Sequence, residues 1–224
     1  MSTKLERIGE LSASNRDIVF NNLAHLINVE TLKQAHQELN GKKAIGADGT
    51  TKETYGENLD QNLTNLVLRI RRKQYRPKPA RIVEIPKDDG SSRPLAISCY
   101  EDKLVQLVVS KILSKIYEPL FLPCSFGFRN KVGCHDALRA LHRATFENKA
   151  GAIVEIDIRK YFNSIPFGHL NEFLRRKIND DRFLWLLNAL IKTPTLKDGT
   201  ITRSEHGCVI DAKGLGVFDA VLFK

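Results

Sequence analysis

Apolar and polar positions alternate along this chain with periods that change several times, and each change marks an element. From Asn15 to Gly41 the period is helical, with Asn15 placed to cap one helix and Asn28 another ahead of Val29, Leu32, Ala35 and Leu39. Gly46-Ala47-Asp48-Gly49-Thr50-Thr51 interrupts that period as a loop. Leu59, Leu63, Leu66, Val67 and Ile70 then fall on one face of a helix predicted from about Tyr55 to Tyr75. Two β-rich runs, about Arg81–Ile85 and Arg93–Ser98, flank Lys87-Asp88-Asp89-Gly90-Ser91-Ser92, which reads as a hairpin. A mostly apolar helix is predicted over Glu101–Tyr117 and another helix over Cys134–Glu147. Ile153, Val154, Ile156 and Ile158 make Gly151–Ile158 a predicted strand. Helices follow at about Phe167–Lys177 and Asp181–Lys192, then a hairpin turn at Lys197-Asp198-Gly199-Thr200. Asp180-Asp181, between the two helices, reads as a cap. This order gives an α+β class rather than regular βαβ alternation.

Composition narrows the class. The 224 residues are 42% hydrophobic and 27% charged, as in soluble globular proteins. No apolar run reaches the roughly 18 residues of a membrane span, and the start lacks the apolar core of a secretory signal, so a cytoplasmic protein with no membrane partner is expected. Cys99, Cys124, Cys134 and Cys208 form no C-x-x-C pair, and buried reduced thiols are expected rather than a zinc site. A net charge of +9 raises the prior for a polyanionic partner. The charge is concentrated in Arg69, Arg71, Arg72, Lys73, Arg76, Lys78 and Arg81, seven cations in thirteen residues with no acid between. A solvated basic face and a nucleic-acid contact remain equal readings of that run.

Asp157 is the sharpest single residue, an acid near the end of a β-rich run with Glu155 on the same strand face. It could bind a metal, cap the next element or lie exposed at the strand end, and spacing alone favours the last two. Lys87 and Arg93 flank the first hairpin loop, as ordinary turn charges or as a pair gripping a polyphosphate.

Four blocks in one order resolve these alternatives together. They are Gly46-Ala47-Asp48-Gly49; Ile85-Pro86-Lys87 through Arg93-Pro94-Leu95 with Glu101-Asp102-Lys103-Leu104-Val105-Gln106; Ser125-Phe126-Gly127-Phe128-Arg129 with His135-Asp136-Ala137-Leu138; and Glu155-Ile156-Asp157-Ile158-Arg159-Lys160-Tyr161-Phe162. Through Arg203 the chain resembles a bacterial group II intron reverse transcriptase, an RNA-directed DNA polymerase and maturase. The resemblance implies the fingers and an incomplete palm of a right-hand polymerase, helix-rich with a fingers β-hairpin. It divides the chain into a helical extension (1–45), fingers (46–150), a partial palm (151–207) and an atypical tail (208–224). It further implies that Asp157 ligates Mg²⁺ with the carbonyl of Ile158, that Phe162 gates the deoxyribose, and that Lys87 and Arg93 hold the dNTP with Ile158. Arg129 and the basic run from Arg69 to Arg81 would meet template or intron RNA, with primer DNA as a further partner.

The chain departs from the family pattern after Cys208. The later Asp-Asp metal motif and the P-Q-G block have no counterpart, and Val209–Lys224 resembles nothing in the family. A truncated or frame-disrupted gene is therefore expected, polymerase-inactive alone because a two-metal site needs carboxylates on both sides of the ions. The alternatives are a non-catalytic RNA-binding module and a subunit completed by a partner chain. An incomplete sheet would also favour self-association.

Overall fold

The structure is a computed structural model that describes residues 2–86, 88, 90–127, 129, 131–147, 151–158 and 164–203. Among them are eight α-helices and four strands. The helices are α1 (Ser2–Ser14), α2 (Val29–Glu38), α3 (Lys52–Gly56), α4 (Leu59–Arg71), α5 (Tyr100–Tyr117), α6 (Cys134–Phe146), α7 (Phe167–Arg175) and α8 (Asp181–Ile191). The strands are β1 (Ala80–Pro86), β2 (Ser92–Ile97), β3 (Thr195–Lys197) and β4 (Thr200–Thr202). This mixed architecture is the expected α+β class.

Helix α5 is the spine of the core. Leu104, Val105, Val108, Val109, Ile112, Leu113 and Ile116 are buried across about half of its circumference, a face wide enough to take more than one neighbour. Helices α1 and α2 pack against it. Ser12 ties α1 to its end by donating to the carbonyl of Ile116 at 2.5 Å. One apolar cluster then runs from Leu5 through α2, α4 and α5 to Ile191, so the extension and the α7–α8 region share a core.

Several helix starts follow sequence rules. Asn28 caps α2 in a reciprocal box with Thr31, at 3.1 Å in each direction. Thr51 and Thr54 make the same box at α3, and Asn58 separates α3 from α4 where one continuous helix was expected. Asn15 caps no helix. It lies just beyond α1, and its side chain accepts from the amide of Asp17 at 2.9 Å as a local turn.

Asp180 is the strongest of these anchors. At 8% exposure its Oδ1 accepts from the amides of Arg182 and Phe183, which caps α8. Its Oδ2 accepts from the amides of Leu23 and Ala24, 2.7 and 2.8 Å away, at the start of the 3-10 turn Ala24–Leu26. One carboxylate thus satisfies the orphan donors of two helical turns from opposite ends of the chain. Burial works to raise its pKa, but those four N–H donors outweigh it and hold the carboxyl below the usual value. A parallel bridge between Phe20 and Ile178 completes the junction.

The two predicted hairpins join into one sheet of order β2-β1-β3-β4. β1 and β2 are antiparallel with Ile85 opposite Arg93, and β1 meets β3 in parallel with Ala80 opposite Thr195. Asp198 and Gly199 both take positive φ, 49° and 78°, the geometry of a tight hairpin turn. Lys197 reaches Glu84 across the β1–β3 boundary at 2.8 Å.

Two further expectations fail. Gly151–Ile158 is irregular rather than a strand, with Val154 80% and Ile156 84% exposed. β-branched residues favour a strand only where a ladder and a covered face receive them, and the sheet among the described residues contains β1 to β4 alone. Cys99 is buried as expected, but Cys124 and Cys134 are exposed: one lies in a surface turn, the other opens α6, which buries none of its residues. Cys208 lies outside the described residues.

Replacing Asp180 by Ala should lower unfolding free energy by about 2–4 kcal/mol, because partly buried N–H groups on two elements lose their acceptor together. Urea denaturation measures it. Asp181→Ala, whose side chain is exposed, should change stability by no more than about 0.5 kcal/mol.

Candidate nucleic-acid and nucleotide site

The basic run begins where α4 ends and doubles back toward the sheet. Lys73, with φ of 56°, makes the turn, and the amides of Gln74 and Tyr75 both return to the carbonyl of Arg69. Tyr75 is fully buried, and its hydroxyl donates to Asp102, an acid only 2% exposed in the first turn of α5. The second oxygen of Asp102 accepts from the amide of Lys78 at 3.0 Å. Asp102 therefore grips the run on both sides of Pro77. Burial raises its pKa to about 6, against the lowering influence of the Tyr75 hydroxyl and the Lys78 amide. Tyr75 in turn is pushed well above its ordinary value, first by burial and then by the carboxylate it faces.

Acids outside the run also occupy some of its cations. Nη2 of Arg69 lies 2.7 Å from both carboxylate oxygens of Glu101, which also accepts from the Tyr55 hydroxyl at 3.1 Å. Lys78 pairs with Asp48 at 2.8 Å, and the Arg81 guanidinium donates to the carbonyl of Ile45 at 2.7 Å. The Lys78 pKa is raised mainly by that hydrogen bond. The Gly46-Ala47-Asp48-Gly49 loop is held close by backbone contact: a Cβ on Gly46 would lie 2.5 Å from Cys99 Cα. Only glycine fits there, and the approach delivers Asp48 to Lys78.

The run therefore divides. Arg69, Lys78 and Arg81 are engaged with the fold. Arg76 donates to the carbonyls of Lys73 and Tyr75 and lies over the Trp185 ring at 5.9 Å. Arg71, Arg72 and Lys73 are exposed and have no partner among the described residues. Arg129 is also engaged, with Glu118 at 2.9 Å, the carbonyl of Ser125 at 2.8 Å and the Phe121 ring at 5.4 Å.

Arg93 is exposed on β2 near the hairpin tip. Lys87, its expected partner, and Phe162 lie outside the described residues. Asp157 and Ile158 lie on the irregular, exposed segment, as does Glu155. Among the described residues no group of three His, Cys, Asp or Glu side chains comes together as a metal site. One exposed carboxylate does not build a Mg²⁺ centre, so these residues do not by themselves fit a two-ion site. Also among the described residues, no helix is long and apolar enough to cross a membrane.

Asp48, Glu101 and Asp102, the acids that shape this surface, stand in the motif blocks of the sequence with no role assigned to them there. The signal was present in Tyr75, the one aromatic inside the basic run, whose hydroxyl needs a partner once buried.

Residues 85–208 match the family described as reverse transcriptase (RNA-dependent DNA polymerase). The chain is 32% identical over 205 residues, 91% of its length, to the group II intron-encoded protein LtrA of Lactococcus lactis subsp. cremoris, of which it covers 34%. It is 31% identical over 75% of its length to protein YkfC of Escherichia coli, covering 45% of that protein. It is 29–32% identical to intron proteins of two yeasts, among them a 91 kDa protein in the cob intron of Schizosaccharomyces pombe, covering 21% of it. The chain thus spans about a third of the length of LtrA. Among solved structures, a chain of a partial Cas6-RT-Cas1–Cas2 complex aligns over 89% of this chain and 33% of that one, with a TM-score of 0.53 and 16% identity, a likeness of fold.

The pKa of Asp102 sets a pH dependence. An acid whose pKa is raised on folding binds its proton more tightly in the folded state, so the Asp102 contribution to stability should fall as pH rises from about 4 to about 6 and then level off, read as the difference between the parent and Asp102→Asn. The drop should approach about 3 kcal/mol, read by urea denaturation across that range. Asp102→Asn should flatten the profile.

Proposed function

The chain belongs to the reverse transcriptase (RNA-dependent DNA polymerase) family, in its group II intron type, and from that premise we propose that it is an RNA-gripping part of such an enzyme, binding the strand through Arg71, Arg72 and Lys73. One observation carries the reading. Three exposed cations follow one another on a turn whose geometry is fixed from within by Asp102, while Glu101 and Asp48 are already paired with Arg69 and Lys78. A run of unpaired cations on a fixed backbone turn suits a phosphate backbone, since binding releases counterions. Arg76, stacked near Trp185, extends the row.

The finer roles rest on the family motifs. Arg93 would take the incoming dNTP together with Lys87, Phe162 would gate the sugar, and Asp157 with the Ile158 carbonyl would meet Mg²⁺. The resident side chains give Asp157 one acidic neighbour in sequence, Glu155, and no assembled cluster among the described residues. Polymerisation is accordingly proposed of a larger assembly and RNA binding of this chain.

A second reading, a subunit completed by another chain or by its own copy, is favoured by exposed apolar surface. Leu138 and Phe146 of α6 are 59% and 73% exposed, and Ile153, Val154 and Ile156 are more than half exposed. Apolar surface of this kind marks interaction sites.

Binding of a short labelled RNA, followed by fluorescence anisotropy against salt, tests the first reading. Joint replacement of Arg71, Arg72 and Lys73 by Ala should flatten the slope of log affinity against log salt by about 2, whereas Arg129→Ala should leave it unchanged. Equal slopes for the triple variant and the parent would refute the assignment. Sedimentation velocity addresses the second reading. The expected result is concentration-dependent association that Phe146→Asp reduces; a monomer at all concentrations counts against it.

A further inference from the structure

The first turn of α8 lies beside the 3-10 turn Ala24–Leu26 and the last turn of α4, and the three enclose a cleft of about 630 Å³. That volume falls within the range of pockets that hold small organic ligands. Its floor is apolar where Ile70, 8% exposed, reaches the surface over the buried Ile27, Phe183 and Leu186. Its rim is polar and exposed, with Arg71 and Arg182 on two sides and Asn21 and His25 on a third. Two acids, Asp180 and the exposed Asp181, also line the cleft. Asp180 is surrounded by four backbone N–H donors, and Asp181 faces Arg175 at 3.3 Å. The guanidinium groups of Arg71 and Arg182 have no partner among the described residues, so the rim presents them open beside the apolar floor.

That combination selects a ligand that carries an anion and a flat apolar body together. We propose that this cleft seats one unpaired nucleotide of a bound RNA strand, its phosphate on Arg71 and Arg182 and its base over the apolar floor. The proposal rests on the RNA-binding reading and adds a defined subsite to it. Arg71 supplies the continuity, because it borders the cleft and is also the first cation of the row that continues to Arg72 and Lys73. A strand following the row would therefore reach the cleft through Arg71 and meet Arg182 inside it. Asn21 and His25 offer hydrogen-bonding groups for sugar or base edges, as single-stranded recognition requires. The cleft depends on the Asp180 junction, since the turn and α8 form two of its walls.

Two measurements on the 224-residue chain test this. Photocrosslinking with a short RNA containing 4-thiouridine should label peptides spanning residues 21–27 or 179–186. In anisotropy, Arg182→Ala should weaken binding several-fold and lower the salt slope by about 1, with Arg139→Ala on α6 as an unaffected control. Arg182 is exposed, and an unchanged melting curve establishes that the variant is folded. If the parent chain binds RNA but crosslinks elsewhere, or if Arg182→Ala binds as the parent does, the cleft is not a nucleotide seat while the RNA-binding reading survives. If the parent chain binds no RNA even at low salt, both fall.

Discussion

A carboxylate buried in the first turn of the central helix fixes the surface on which this protein's function is proposed to rest. Asp102 is almost completely excluded from water, and such a group is tolerated only when its oxygens are met by donors. The donors that meet it come from Tyr75 and Lys78, inside the most basic stretch of the chain. The requirement to satisfy one buried acid thus sets the path of the basic segment, and neighbouring pairs with Glu101 and Asp48 reinforce it. Burial also raises the pKa of Asp102, so the same constraint makes the arrangement sensitive to pH.

A second acid uses the same device. Asp180 gathers two amides from α8 and two from the segment after α1, elements more than 150 positions apart in sequence. Both acids convert unsatisfied backbone donors into tertiary contacts, and each supports a surface lined by arginines. The reciprocal amide pair of Asn171 and Asn188, at 2.7 Å in both directions, does similar work between α7 and α8.

A cation in a basic run has two possible fates, and this chain shows both. Arg69, Lys78, Arg81 and Arg129 face acids or carbonyls and hold the fold together; Arg71, Arg72 and Lys73 face solvent. Arg69 meets Glu101 in the first turn of α5, and Arg129 meets Glu118 just past its last residue. The exposed ones remain available to a polyanion, because the acids that could have neutralised them are already paired.

Local elements were largely determined by sequence, because their causes are local. The periodic leucines of α4 and the apolar run of α5 specify helices, Asp198-Gly199 specifies a tight turn, and Asp180 ahead of Phe183 specifies a cap. The ordered motif blocks also identified the family, since they encode a shared arrangement rather than one contact. Tertiary structure alone decided the rest. Nothing in either hairpin says that β1 will pair in parallel with β3, because parallel partners are distant in sequence and their register comes from the packing of what lies between. The β-branched run at Gly151–Ile158 reads as a strand yet is irregular, because strand formation depends on a neighbouring ladder that the run itself does not contain. The division of the basic run was equally hidden. Every cation in it has similar local surroundings, and only the approach of Asp48, Glu101 and Asp102 from other elements separates those that bind the protein from those left to bind something else.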